Sequence, residues 1–351
     1  MTDERGARRP GRVLTALLCA LTAAGLYGCS DSGPPEPAPT PTPVPATTSP
    51  TPTSPAPTTP APTTAVPGGR SPFTGLVARP APVLAVKIDN VGPARPHTGL
   101  GSADLVYVEQ VEGGQTRLLA VFSSRLPDRT GPVRSARESD MELLAQFDDP
   151  ALAYSGSQTA LEPLLKAAPL RALPQEDAPR AFVRSAARPA PHNLYLLPGR
   201  ALAAAPGTGM ARDIGFRFGP APDGGSPVGA HTVRYPAARY TFTWSPPDLA
   251  WRVAMDGRQA GTTDAGPLRP TTVVIQYVDI RPSRFHDFLG NVSPYTETVG
   301  TGTALVLRDG RVHDSRWSRP SATSGTTFTT PDGAPMTFAP GQVWVVLAPR
   351  P

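Results

Sequence analysis

The sequence has little cysteine, little lysine and no paired histidines, and each shortage excludes something. Its two cysteines are Cys19 and Cys29. Cys19 lies in a predicted export signal, so no intrachain disulfide is expected and the core alone must hold the fold. The five histidines stand singly, without the spacing of metal ligands, so neither a metal nor another cofactor is expected. Lysine occurs only at Lys87 and Lys166, and the formal net charge is only +5, which makes nucleic acid a poor candidate partner.

Residues 1–28 have the pattern of a bacterial lipoprotein signal peptide. Four arginines precede an apolar stretch, residues 13–27, that is too short to cross a bilayer comfortably. The stretch ends in Leu-Tyr-Gly-Cys, which resembles a lipobox with Cys29 as the lipidated residue. We therefore expect an extracytoplasmic protein, anchored by its lipid to the outer face of the cell membrane. An unmodified secretory signal is the alternative. Cleavage before Cys29 leaves 29 basic and 26 acidic residues, a net charge of +3.

Residues 29–70 follow as a predicted tether. Apart from the lipidated cysteine, this segment is made largely of proline, threonine, alanine and serine, and it shows no apolar periodicity. Such a composition cannot bury enough surface to fold, and it favours extended, polyproline-like chain. The folded part is therefore predicted to stand away from the membrane.

The remaining chain predicts an α+β fold in two domains. Residues 71–222 combine strand patterns with short helices, including a predicted short helix in 180–193 that Pro189 and Pro191 break, and are read as an N-terminal mixed α/β domain. Residues 229–351 hold alternating runs separated by Asp-Gly pairs, the strongest short signal for a hairpin. They are read as a mostly antiparallel β C-terminal domain.

The stretch from Val106 to Glu138 carries the clearest functional signal. Gly113-Gly114 lies between two apolar runs and predicts a two-residue hairpin turn with Gln110 opposite Arg117. Ser135 and Glu138 have the spacing of a capping box that opens a helix. Two arginines, at positions 134 and 137, then flank a helix N-terminus, where backbone N–H groups and the helix dipole attract anions.

Several segments together resemble the YerB-like lipoprotein family. They are Val-Glu-Gly-Gly-Gln-Thr-Arg-Leu-Leu-Ala-Val-Phe from residue 111, Gly-Pro-Val-Arg-Ser-Ala-Arg from residue 131, Pro-His-Asn from residue 191, and the pattern from 300 to 349. The resemblance covers nearly everything after residue 80. It implies a membrane-anchored, extracytoplasmic protein with an N-terminal and a C-terminal domain of unknown function. It implies no particular reaction.

Binding of an anionic cell-envelope ligand or partner is the function that these residues favour, because an arginine guanidinium can donate two parallel hydrogen bonds to a carboxylate or phosphate group. The ligand would be a phosphate-bearing cell-wall polymer or a peptidoglycan carboxylate. The candidate ligand-binding residues are Glu112, Arg117, Arg134, Ser135, Arg137, His192 and Asn193. The opposing interpretation is internal pairing, with Glu112 on Arg117, Glu138 on Arg134, and Asp89 on Lys87 or Arg95.

Two other functions stay open. The first is a cell-envelope hydrolase acting on a glycan or phosphodiester bond. Ser155 and His192 lack both the Gly-x-Ser-x-Gly elbow and an evident aspartate to orient the histidine. Glu109, Glu112 and Asp140 keep a glycosidase route open. The second is a structural scaffold whose β domain docks another envelope protein.

Overall fold

The structure, a computed structural model, describes residues 69–287 and 289–351 and is built mostly from β-strands. The predicted signal peptide, Cys29 and nearly all of the predicted tether lie outside the described residues. No helix within the described part of the chain is long and apolar enough to cross a membrane.

The first half of the described chain combines short helices with strands. Its α-helices are α1 Glu138–Leu144, α2 Glu162–Ala167 and α3 Pro198–Ala204. Its strands are β1 Leu84–Asp89, β2 Leu105–Gln110, β3 Thr116–Phe122, β4 Ala151–Tyr154, β5 Arg171–Pro174, β6 Phe182–Arg184, β7 Leu194–Leu196 and β8 Arg217–Phe218.

The second half consists of strands joined by turns, and among its described residues there is no helix, in line with the predicted β character. The strands are β9 Ser226–Pro227, β10 Ala230–Tyr235, β11 Ala238–Ser245, β12 Ala250–Met255, β13 Arg258–Gln259, β14 Gly261–Thr262, β15 Gly266–Pro267, β16 Thr272–Val278, β17 Ile280–His286, β18 Val292–Thr296, β19 Gly300–Arg308, β20 Arg311–Arg319, β21 Thr327–Thr329, β22 Thr337–Phe338 and β23 Val343–Pro349. Asp256-Gly257 and Asp309-Gly310 have positive φ at both positions and form the predicted tight turns.

One mixed sheet runs through both halves. Its strand order is β21, β20, β19, β16, β23, β2, β3, β1, β4, β5, with β9 paired to β20. The last strand, β23, lies between β16 and β2 and runs parallel to both. Because β2 comes from the first half and β16 from the second, their backbone hydrogen bonds to β23 join the halves.

Both faces of this sheet are covered by apolar side chains. On one face Val86 belongs to the same buried cluster as Phe242 and Trp251 of the β10–β13 sheet. On the other face Val121 clusters with Phe147, which follows α1. Burial of each such side chain stabilises the fold by about 1.5–3 kcal/mol. Strands buried on both sides read as nearly continuous apolar runs, which is how β1, β3 and β23 read.

The central hairpin forms as predicted, but its register differs by one residue. Gly113 and Gly114 both have positive φ, as expected for the turn. The turn, however, uses the three residues Glu112–Gly114, and the Val111 N–H donates to the Gln115 carbonyl. Arg117 therefore lies opposite Glu109 rather than Gln110.

The predicted capping box is wrong, although the helix it announces is present. α1 begins at Glu138 with Arg137 as N-cap, and the Asp140 carboxylate accepts the Arg137 N–H at 2.6 Å. Ser135 is two residues too early to cap this helix.

The helix predicted over residues 180–193 is also wrong. Phe182 pairs with Leu196 in an antiparallel β6–β7 hairpin, so this segment finds its backbone partners across the hairpin rather than within a helix.

Candidate functional site

A cavity of about 530 Å³ lies at one end of strands β1 and β3, and we call it the arginine cavity. Six of the seven residues predicted to bind a ligand line it: Glu112, Arg117, Arg134, Ser135, Arg137 and His192. They come from the turn after β2, from β3, from the segment before α1 and from the loop before β7. Three-dimensional folding thus brings together residues that are up to 80 positions apart in the chain.

The strand pattern explains why polar groups gather at this end. Alternate residues of β1 point to one face, and on that face Ala85 is followed by Lys87 and then by Asp89. Asp89 lies directly opposite Arg117 on β3. This face of the sheet is apolar at Ala85 and carries charged side chains towards the end at which the cavity opens.

Arg137 is held by an acid of the protein itself. Its Nε and Nη2 donate to the two carboxylate oxygens of Glu112 at 2.6 and 2.7 Å. The Ser293 hydroxyl also donates to Glu112. Burial alone raises the pKa of Glu112, but the hydrogen bonds and charge of Arg137, together with the hydrogen bond from Ser293, outweigh burial and bring this pKa below its usual value. Arg137 is thus already engaged in a bidentate pair.

Asp89 joins two further groups that line the cavity. Its Oδ2 lies 2.8 Å from Nδ1 of His192 and 3.5 Å from Nε of Arg134. The Asp89 side chain is 3% exposed, whereas those of His192 and Arg134 are 19% and 26% exposed. The expectation that no aspartate orients His192 is therefore wrong, because Asp89 accepts a hydrogen bond from its ring.

Arg117 differs from the other two arginines because none of the described acidic groups forms a salt bridge with it. Its Nη1 donates to the Ser135 carbonyl at 2.9 Å, and Nε and Nη2 contact no acceptor of the described chain. Burial, assisted by the nearby positive charge of Arg137, lowers the pKa of Arg117 to about 9. The guanidinium is still a cation at neutral pH. It is a buried positive charge that borders a cavity: the nearby carboxylates of Glu112 and Asp89 act in its favour, but neither forms a salt bridge with it, and its hydrogen bond goes to a neutral carbonyl.

The backbone N–H groups after Ser135 already have partners. The Ala136 N–H donates to the Gly156 carbonyl, and the Arg137 N–H donates to Asp140. The seven-residue helix α1 therefore offers little to an anion. Any anion in this cavity has to be held by side chains.

The hairpin of β17 and β18, residues 280–296, supplies another wall, and we call it the covering hairpin. The Ser283 hydroxyl donates to Glu138 at 2.5 Å, and Ser293 donates to Glu112. The residues that it adds to the cavity lining are Phe285, His286, Asp287 and Ser293. Sequence reasoning missed them because no local pattern indicates that a hairpin from residues 280–296 packs beside residues 89–138.

Asn193 is the one predicted residue that does not line the cavity. Its Oδ1 accepts a hydrogen bond from Arg184 at 2.8 Å, and its amide donates to the Ser185 carbonyl at 3.3 Å. These contacts tie the ends of the β6–β7 hairpin together. Its neighbour His192 lines the cavity, while Asn193, the last residue of the turn before β7, does not.

A second charged group, which we call the ion triad, lies on the same sheet face and consists of Lys87, Glu109 and Asp140. Nζ of Lys87 is 2.5 Å from Glu109 and 2.6 Å from Asp140, and the three side chains are at most 2% exposed. Burial raises the pKa of Glu109 to about 7, although Lys87 acts in the opposite direction. None of the three borders the cavity.

Internal ion pairs are thus present, but the partners differ from those expected. Glu112 contacts Arg137 rather than Arg117, and Asp89 contacts Arg134 and His192 rather than a lysine. The remaining partners also change: Lys87 is bound by the other members of the ion triad, Arg95 pairs with Asp256, and Glu138 accepts from Ser283. Within the described residues no group of three or more His, Cys, Asp or Glu side chains has the arrangement of a metal site.

Comparison with known proteins identifies the two halves of the chain as family domains. Residues 73–211 match the N-terminal domain, and residues 231–345 the C-terminal domain, of a family described as "Protein of unknown function (DUF3048)". A curated relative, "Putative lipoprotein YerB" of Bacillus subtilis (strain 168), is 45% identical over 84 residues, which are 22% of this chain and 25% of that protein. The match thus spans about a quarter of the length of that relative.

A crystal structure of the YerB protein from Bacillus subtilis has a similar fold. The TM-score is 0.68 at 23% identity, and the match covers 80% of this chain and 96% of that one. At this identity the likeness concerns the fold alone. The YerB-like resemblance derived from the sequence is confirmed by the family match and by these relatives.

Proposed function

We propose, from the premise that the chain belongs to the DUF3048 family, that it is a membrane-anchored, extracytoplasmic lipoprotein whose arginine cavity binds an anionic ligand of the cell envelope. The anchor is the lipidated Cys29 after cleavage of residues 1–28, and residues 29–70 are the tether. The ligand is a phosphate- or carboxylate-bearing group of the cell wall.

The observation that carries this proposal is the state of Arg117. A buried charge is normally paired, because transfer from water into the protein costs several kcal/mol per ion. The nearby arginines 134 and 137 have acidic partners, while Arg117 has a carbonyl and two unused donor atoms. An anion in the cavity would complete the pairing, and the planar guanidinium fork suits two oxygen atoms of one phosphate or carboxylate.

Arg134 is the second group expected to touch the anion. Its contact to Asp89, at 3.5 Å, is longer than a good charge-assisted hydrogen bond, and its side chain is 26% exposed. Arg137 is not expected to contribute, since a bidentate pair with Glu112 occupies it.

Melting curves of the full chain in detergent, with inorganic phosphate as probe, test the proposal. Phosphate should raise the melting temperature more than chloride at equal ionic strength, because a ligand of the native state stabilises it by about 2.7 kcal/mol at one hundred times its Kd. Arg134→Ala should lose this gain. Arg316→Ala, which removes an exposed arginine of β20 outside the cavity, should keep it. Equal gains in both variants would contradict the proposal.

The anchor is tested separately with a fatty-acid analogue fed to cells. The wild type should be labelled, and Cys29→Ser should not be, because lipid attachment needs the thiol of Cys29. Equal labelling of the two proteins would argue against a lipid on this residue.

A further inference from the structure

Two of the five histidines line the arginine cavity although 93 residues separate them in the chain. His192 precedes β7 in the first half, and His286 ends β17 in the covering hairpin. Each half of the chain therefore contributes one imidazole to a cavity that also holds a buried, incompletely paired arginine. Two imidazoles on one cavity can act as the base and the acid of a proton-transfer reaction.

His192 has the surroundings of a general base. Its Nδ1 is 2.8 Å from the buried Oδ2 of Asp89. An ionised carboxylate only accepts hydrogen bonds, so Nδ1 carries a hydrogen, and in the neutral ring the lone pair is then on Nε2. No described group of the protein is hydrogen-bonded to Nε2. Asp89 thus fixes both the tautomer and the ring orientation, as a positioning residue for a base must.

The proposed anion site lies beside this base. Asp89 Oδ2 contacts both His192 and Nε of Arg134, so the imidazole and the guanidinium share one carboxylate oxygen. Arg117 lies opposite Asp89 on the neighbouring strand. An anion held by Arg117 and Arg134 is consequently placed next to the ring of His192.

We infer that the arginine cavity hydrolyses a phosphodiester, with His192 as general base positioned by Asp89 and His286 as general acid. This inference rests on the proposed anion binding and names the bound group as the scissile one. A phosphodiester carries one negative charge on two non-bridging oxygens, which matches two guanidinium groups. A neutral glycosidic bond would leave Arg117 without a counter-charge.

The reaction balances with water as the only co-substrate. The water oxygen forms a bond to phosphorus while one water proton moves to Nε2 of His192. The bond from phosphorus to the leaving oxygen breaks, and that oxygen takes the electron pair and a proton from the His286 imidazolium. The products are a phosphomonoester and an alcohol, and proton exchange with solvent returns both histidines to their starting forms. Arg117 and Arg134 stabilise the negative charge on the phosphoryl oxygens.

Two probes that differ in the leaving group distinguish the base from the acid. Bis(p-nitrophenyl) phosphate releases a phenolate that leaves without a proton, whereas glycerophosphoglycerol releases an alkoxide that needs one. For the full chain in detergent, His192→Gln should lower the rate about 100-fold or more with both probes. His286→Gln should do so with glycerophosphoglycerol and have little effect with the nitrophenyl diester. His231→Gln, at a histidine of β10 outside the cavity, should leave both rates unchanged.

Three results would overturn this inference: a wild type no faster than buffer with both diesters, a His192→Gln rate equal to that of the wild type, or equal losses with both probes in His286→Gln. The proposed function has its own readout in the phosphate-dependent melting temperature. A gain that depends on Arg134, found without diester turnover, would leave binding standing and reject hydrolysis. Absence of both would reject binding and hydrolysis together.

Discussion

Two positive charges lie on the same face of the central sheet and differ in how their charge is paired. Lys87 on β1 is fully buried and lies between two carboxylates at 2.5 and 2.6 Å. Arg117 on β3 lies opposite Asp89, the next residue of β1 on this face, and is also buried, but its side chain is hydrogen-bonded to a backbone carbonyl and forms no salt bridge with a described acidic group. Burial makes both charges expensive, so what differs is their compensation. Lys87 is fully paired within the protein and has a structural role, whereas Arg117 still has donor groups that a ligand can bind.

The largest expected effect on stability comes from removing Lys87, the charge that is already paired. Lys87→Met should lower the free energy of unfolding by about 3–5 kcal/mol, because it leaves two buried carboxylates without a cation. Urea unfolding at neutral pH measures the change. Arg316→Ala, at an exposed site, should stay within about 0.5 kcal/mol of the wild type. A loss below about 1 kcal/mol for Lys87→Met would contradict the structural role of the ion triad.

The next effect is the contribution of the ion triad to the pH dependence of stability. The pKa of Glu109 rises from its ordinary 4.5 to about 7 in the folded state. Between these values the folded protein binds more protons than the unfolded chain, so this residue makes stability fall as pH rises from about 4.5 to 7. As the pH rises from 4.5 to 7.5, the free energy of unfolding of Glu109→Gln should therefore increase by about 1–3 kcal/mol relative to that of the wild type.

His97 also makes stability depend on pH, in the opposite direction to Glu109. Measuring the variant relative to the wild type removes this contribution. Burial lowers the pKa of His97 to about 4, so its contribution to stability is lost as pH falls from about 6.5 towards 4. His97 titrates in both proteins and cancels in the difference. Urea unfolding at several pH values gives that difference, and a variant parallel to the wild type would argue against the raised pKa of Glu109.

A smaller effect on stability is expected when Arg117, the charge without a salt-bridge partner among the described residues, is removed. Arg117→Met should change the free energy of unfolding by at most about 1 kcal/mol, because loss of the hydrogen bond to Ser135 is offset by removal of a desolvated charge. It should also abolish the phosphate-dependent rise in melting temperature. A loss as large as that of Lys87→Met would mean that Arg117 is a structural charge after all.

The smallest effect is expected outside the cavity. Asn193→Ala removes hydrogen bonds that connect Arg184 and Ser185 to the end of the β6–β7 hairpin. It should lower stability by about 1 kcal/mol and leave the phosphate-dependent gain intact. If the gain disappeared, the anion would bind beside Asn193 and not in the arginine cavity.

The sequence by itself determined the local features of this protein. Alternating apolar runs gave the strands, and paired glycines and Asp-Gly pairs gave tight turns, because strand period and turn chemistry depend on neighbouring residues. The cluster of arginines and acids around residues 112–137 was also visible, and most of it lines one cavity. Family membership followed from the same short motifs.

Only the tertiary structure decided which of the described charged side chains form salt bridges with each other and which have no such partner. The partner of Glu112 is Arg137 and not Arg117, since a three-residue turn shifts the register by one position. The strand β23 joins the halves through parallel pairing, for which adjacent residues give no signal. Likewise, His286 reaches the cavity through a hairpin that packs across the molecule. Contacts between distant segments depend on the packing of the whole chain, and sequence spacing does not encode them locally.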